Sequence, residues 1–114
     1  MTSIPVKEIV GINAISMNSG KKIKELIIKE WDRSEQIILD FSDVNVFASP
    51  FFNASIGALL KDKDIKQLQE KLDFQGISEH GKRLLNLVIS NAIKFYSDKE
   101  SKTDLGLDEV RKDI

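Results

Sequence analysis

The amino-acid sequence predicts a small single-domain α/β fold, with a mixed β-sheet of about four strands and helices packed on it. Residues 36–41 form a largely apolar run rich in β-branched side chains, which is typical of a strand covered on both faces. The run follows a helical pattern, and the inferred order along the chain is strand, helix, strand, helix, helix, strand, helix, which is an α/β order. The helical pattern consists of apolar residues on one face: Ile23, Leu26, Ile27 and Trp31.

Composition limits the class of protein. A chain of 114 residues is long enough for one domain with a real core, and its net charge of −1 provides no basic field for nucleic acid. The absence of cysteine excludes disulfides, thiolate nucleophiles and cysteine-based metal sites. No leader pattern occurs, and the longest apolar runs, about four residues, are far shorter than the roughly 20 that a membrane helix needs. We therefore expect a cytoplasmic protein without nucleic-acid or membrane partners.

The N-terminal third contains two short strands and one long helix. Residues 2–6 predict an edge strand, because Pro5 cannot donate a ladder hydrogen bond. Residues 7–10 predict a turn or a single helical turn ended by Gly11, and residues 13–15 predict a second strand. Ser16 or Ser19 is the expected N-cap of the amphipathic helix that follows.

The rest of the chain alternates in the same way. Ser42-Asp43 has turn chemistry, residues 44–47 are extended, and one helix is expected from Pro50 to about residue 60. A short helix near residues 65–72 and a short strand near 73–76 come next, and Ser78 is the expected cap of a long final helix. The domain is predicted to cover residues 1–97, and residues 98–114 are predicted to be a mobile charged tail.

The pair Ser49-Pro50 is the strongest helix-start signal in the chain. Serine is a favoured N-cap, and proline is over-represented at the next position. Because a helix start favours anionic groups, Ser49 has two interpretations: a structural cap only, or a phosphorylation site. Phe51 and Phe52 follow directly, and adjacent helical residues lie about 100° apart, so one is expected in the core and the other at an interface.

Other candidate constellations favour ordinary structural roles. Asp40 and Asp43 lie near the end of the apolar run without a third metal ligand nearby, and we interpret them as loop carboxylates. His80 is the only histidine, and a surface side chain is favoured over a general base, a metal ligand or a phosphorelay residue. No glycine-rich phosphate loop occurs. We therefore expect no catalytic, cofactor-binding or metal-binding residues, and no enzyme activity.

Residues 37–60 carry a family resemblance. The pattern Ile-Leu-Asp-Phe-Ser-Asp-Val, then Ser49, then a helix ending Ile-Gly-Ala-Leu-Leu, resembles the STAS domain of anti-sigma factor antagonists and anion transporters. The closer resemblance is to STAS-like domains of unknown function, and it extends over about residues 4–97. In the antagonists the matching position carries a phosphorylated serine. Those proteins usually have Asp-Ser-Ser-Gly or Asp-Ser-Thr-Gly there, where this chain has Ala48, Ser49, Pro50 and Phe51.

The resemblance implies a non-enzymatic regulatory module that binds another protein through the loop and helix that begin at Ser49. The implied partner is an anti-sigma factor or a histidine-kinase-like ATPase, with Ser49 as the candidate phosphoacceptor. Two alternatives remain open: a structural or self-assembling subunit, including an antitoxin or defence role, and a small-ligand domain that binds a nucleotide. The candidate partner-binding residues are Ser49, Pro50, Phe51, Asn53 and Asp43.

Overall fold

The computed structural model describes the backbone of residues 2–105 and the side chains of residues 2–96. Strands and helices alternate along this part of the chain, which confirms the predicted α/β class. The strands are β1 Thr2–Pro5, β2 Asn13–Ala14, β3 Ile37–Asp40, β4 Val46–Phe47 and β5 Leu72–Gln75. The helices are α1 Val6–Val10, α2 Met17–Trp31, α3 Ser49–Ser55, a 3₁₀ helix Gly57–Lys61, α4 Ile65–Lys71 and α5 Glu79–Leu105.

The strands form two parallel sheets. Three of them pair in the order β1-β3-β5, and β2 pairs with β4. The prediction of one mixed sheet of about four strands is therefore wrong in two respects, the number of sheets and the strand direction. The strands are parallel because helices connect them: α2 lies between β1 and β3 in the chain, and α3 and α4 lie between β3 and β5. The separation into two sheets follows the interruptions in the extended segments. Helix α1 separates β1 from β2, and the turn at residues 41–45 separates β3 from β4.

Only one face of the three-stranded sheet is buried. Ile4, Ile37 and Leu39 point into the core, whereas the opposite face carries exposed Ser3 and half-buried Ile38. The prediction that the apolar run is covered on both faces is wrong. Ile38 is the residue that made the run look fully buried, and its neighbours across the ladder, Ser3 and Asp73, are polar.

Helix α2 begins with a side-chain cap. The hydroxyl of Ser16 accepts a hydrogen bond from the backbone N–H of Ser19 at 3.1 Å, so the first of the two predicted caps is correct. Ile23 and Ile27 are fully buried on the predicted apolar face. Gly20 lies against α3, and its missing side chain allows the two helices to approach closely.

The helix after β4 is shorter than predicted. It ends at Ser55 and gives way to a 3₁₀ helix instead of continuing to residue 60 as one α-helix. Two local features explain the change. The buried hydroxyl of Ser55 donates to the carbonyl oxygen of Phe51 at 2.9 Å, and Gly57 is a weak helix former.

The last elements follow the sequence closely. Asp64 and Gln67 form a reciprocal capping box at the start of α4, and the hydroxyl of Ser78 accepts from the N–H of Gly81 as α5 begins. Helix α5 continues to Leu105, so the predicted boundary at residue 97 falls inside it. Residues 106–114 of the predicted tail lie outside the described residues. Within residues 2–105, no helix combines the length and apolar character needed to cross a bilayer.

Phenylalanine rings form the centre of the core. The ring of Phe41, directly after β3, lies 5.9–6.5 Å from each of four others, measured between ring centroids. These neighbours belong to β4, α3 and β5, so a single residue links the three-stranded sheet to the elements around the start of α3. The neighbours are Phe47, Phe51, Phe52 and Phe74.

Candidate functional site

Ser49 is the first residue of α3 and does not cap it. The N-cap is Ala48, which has extended backbone angles (φ −139°, ψ 153°). Its N–H donates to the carbonyl oxygen of Ala14 at 3.0 Å, which keeps Ala48 extended like β4. Its own carbonyl oxygen accepts from the N–H of Phe51 at 3.1 Å, so the helix begins at Ser49, one residue earlier than predicted. The prediction that Ser49 caps the helix is therefore wrong. Ser49 is half-buried, and its hydroxyl forms no hydrogen bond with residues 2–96.

The two phenylalanines after Ser49 both face inward. Phe51 and Phe52 are each 0% exposed, so the expectation that one of them faces an interface is wrong. Both rings pack against the ring of Phe41, so Phe51 is not available for contact with a partner. Pro50 and Asn53, the other candidates on α3, are exposed.

Three exposed apolar side chains belong to segments that adjoin the start of α3. Ile15 follows β2, Met17 opens α2, and Val46 lies in β4; they are 41%, 56% and 45% exposed. The hydrogen bond from Ala48 to Ala14 holds the ends of β2 and β4 together beside Ser49. An exposed apolar patch formed by neighbouring side chains is typical of a protein-interaction site. Sequence reasoning missed these residues, because strands of two residues are too short to show alternation.

A groove of about 390 Å³ lies between α2 and α3. Met17 lies at one side of it, and Pro50 and Asn53 are on the other. The groove therefore joins two of the candidate partner-binding residues to the apolar surface at the start of α3. Its full lining is Met17, Lys21, Lys24, Pro50, Asn53, Ala54 and Ala58.

Asp43 belongs to a different part of the surface. It lines a depression of about 340 Å³ at the carboxyl ends of β1 and β3, with Pro5, Lys7, Glu8, Asp40 and Ser42. Asp43 has φ 66°, the left-handed conformation that aspartate tolerates better than most residues and that the turn from Phe41 to Val44 requires. The structure thus groups Pro50 with Asn53 and places Asp43 elsewhere.

Asp40 is held by Ser42. Its carboxylate accepts the Ser42 hydroxyl at 2.6 Å and the Ser42 backbone N–H at 3.0 Å, and these two bonds lower the pKa of Asp40. Both bonds are local to the loop. They agree with the interpretation of Asp40 as a loop carboxylate.

Replacing Ser42 with alanine is expected to raise the pKa of Asp40 toward its ordinary value, because the stronger of the two bonds is lost. The backbone bond remains, so the return is partial. Since the pKa of Asp40 is lower in the folded state than in the unfolded state, its contribution to stability is present above the unfolded pKa of about 3.9 and disappears as the pH falls through the folded value. Carboxyl NMR titration of wild type and Ser42→Ala measures the shift, and an identical Asp40 pKa in both proteins would contradict it.

The candidate metal-binding and acid–base residues do not form a catalytic or metal-binding cluster within the described residues. His80 is exposed in the first turn of α5, as expected of a surface histidine. Among the residues searched, no group of three or more histidine, cysteine, aspartate and glutamate side chains is arranged to hold a metal ion. The depression that Asp43 lines has three carboxylates, Glu8, Asp40 and Asp43, and one lysine, Lys7, so its charged side chains are mainly acidic.

The parallel strands, the helices that cover one sheet face and the surface at the start of α3 define a small α/β domain. A family model described as a STAS-like domain of unknown function (DUF4325) matches residues 19–82, more than half of the chain. The chain therefore belongs to this STAS-like family, and the matched residues include most of α2, all of β3 and α3, and the groove lining from Lys21 to Ala58. No curated protein and no solved structure gave a significant match.

Proposed function

We propose that this chain is a non-enzymatic regulatory module that binds another protein through the surface at the start of α3. The observation that carries the proposal is the group of exposed apolar residues there: Ile15, Met17 and Val46. Ile15 follows β2 and Val46 lies in β4, and the β2–β4 pairing holds these two segments beside Ser49. Met17, at the start of α2, lines the same groove as Pro50. The hydrophobic effect favours covering such a surface with a partner.

The partner class rests on the family. STAS-like membership makes an anti-sigma factor or a histidine-kinase-like ATPase the proposed partner, with Ser49 as the proposed phosphoacceptor. Because Ser49 is half-buried and its hydroxyl has no hydrogen bond within residues 2–96, a phosphate there replaces no structural contact of the hydroxyl. Phosphorylation adds about −1.5 to −2 charges beside the apolar surface, which disfavours docking through desolvation.

The two alternative functions have less support. Self-association through Phe51 or Phe52 loses its basis, because both rings are buried. A nucleotide would be expected in the depression at the carboxyl ends of β1 and β3, because open α/β sheets usually bind ligands at that edge. Its carboxylates, Glu8, Asp40 and Asp43, repel phosphate groups.

The phosphorylation proposal predicts different affinities for two Ser49 variants. With a histidine-kinase-like ATPase encoded near this chain's gene or recovered by pull-down, Ser49→Ala should bind like wild type. Ser49→Asp should bind at least about tenfold more weakly, a loss of about 1.4 kcal/mol. Ser90→Asp, which adds the same charge at an exposed serine on α5, is the matched control and should leave binding unchanged. Equal binding by all four proteins, or none by any, would refute the switch.

A further inference from the structure

We infer that the groove between α2 and α3 receives an acidic amphipathic helix of the partner protein. The inference rests on the proposed function, since it names the chemistry of the partner that docks beside Ser49. Its evidence is independent of the family match and comes from the spacing and charge of side chains on α2.

Helix α2 has a second stripe of side chains besides its buried face. Met17, Lys21, Lys24 and Ile28 follow one another at intervals of four, three and four residues, which is the spacing of a seam that pairs with another helix. Met17 is exposed and so is Ile28, although a helix of a monomeric domain usually turns its large apolar residues inward. The stripe therefore has apolar ends and a basic centre.

The other wall of the groove is formed partly by small side chains. Ala54 and Ala58 lie four residues apart, and both are small enough to let a partner helix approach closely. Pro50 and Asn53 extend this wall to the start of α3. A helix lying in the groove would thus contact the apolar surface at Met17 at one end.

The positive charge of the groove indicates that the bound helix is acidic. Among residues 2–96, Lys21 and Lys24 are the only charged residues that line it, and neither forms an ion pair within that range. A partner helix with carboxylates opposite these lysines and apolar residues opposite Met17 and Ile28 matches all four positions. A second copy docking stripe to stripe would bring lysines against lysines, and like charges disfavour that arrangement.

The test uses two synthetic helical peptides that need no ATPase. Both are three heptads long with leucine at a and d; one carries glutamate at e and g, and the other carries lysine there. Binding is measured at low salt by fluorescence anisotropy, and the site is located by amide chemical shifts of the full chain. We expect the glutamate peptide to bind at least about tenfold more tightly than the lysine peptide, with the largest shifts at Met17, Ile28 and Ala58.

Charge reversal supplies the matched control. The double variant Lys21→Glu/Lys24→Glu should reverse the peptide preference, whereas Lys22→Glu/Lys29→Glu, on an exposed face about 100° round the same helix, should keep it. Equal affinities for the two peptides, shifts confined to another surface, or no binding at millimolar peptide would overturn the inference. Failure of an ATPase to bind would count against the proposed function and leave this result unaffected.

Discussion

Replacing Phe41 with alanine is expected to lower the free energy of unfolding by about 3–5 kcal/mol. The side chain is 1% exposed and its ring packs against four other phenylalanines, so truncation leaves a cavity that rigid neighbours fill poorly. A domain of this size has a total stability of about 5–15 kcal/mol, so the variant is expected to lose a large part of it. Equilibrium urea unfolding followed by circular dichroism measures the loss.

Phe95 provides the matched control for this experiment. It is 60% exposed on α5 and touches the ring of Tyr96, so Phe95→Ala removes the same atoms from a mostly solvated position. We expect it to cost less than about 1 kcal/mol. Similar losses for Phe41→Ala and Phe95→Ala would contradict the placement of Phe41 at the centre of the core.

Replacing Gly20 with alanine is expected to destabilise the domain by about 1–3 kcal/mol. Helix propensity alone predicts the opposite sign, a gain of about 0.5–1 kcal/mol. Packing decides the outcome: a Cβ at residue 20 would meet the carbonyl oxygen of Phe51 and would lie 2.8 Å from the Cβ of Ala54. A backbone carbonyl cannot rotate away as a flexible side chain can, so α3 must shift away from α2.

The control for Gly20 lies in the same helix. Asn18 is exposed, and Asn18→Ala should change the free energy of unfolding by no more than about 0.5 kcal/mol. Urea unfolding of both variants gives the comparison. A Gly20→Ala protein as stable as wild type, or more stable, would show that α2 and α3 are not in close contact at this point.

Local signals in the sequence predicted most elements of the fold. The structure confirms the cap at Ser78 and, of the two candidates Ser16 and Ser19, the cap at Ser16, because each cap depends on one side chain and the backbone within a turn of it. The arrangement of strands was predicted less well. Strand pairing and direction depend on residues far apart in the chain, and the two-residue strands β2 and β4 exist through their mutual hydrogen bonds.

The candidate site shows the same difference between local features, which the sequence predicts, and long-range contacts, which it does not. Ser49 and Pro50 were correctly placed at the start of a helix, yet the capping position was displaced by one residue because Ala48 is bonded to Ala14 across the small sheet. The burial of both Phe51 and Phe52 also needed tertiary information. An isolated helix would separate them by about 100°, but here the core wraps around the start of α3 and encloses both rings.

The most direct test of the proposed binding surface is a titration calorimetry comparison of two exposed apolar residues. Val46→Glu places a charge beside the start of α3, and Leu87→Glu makes the same kind of change at a similarly exposed position on α5. Each folded protein is titrated with the histidine-kinase-like ATPase. We expect Val46→Glu to weaken binding at least about tenfold and Leu87→Glu to bind like wild type. Wild-type affinity in Val46→Glu, or weakening only in Leu87→Glu, would contradict it.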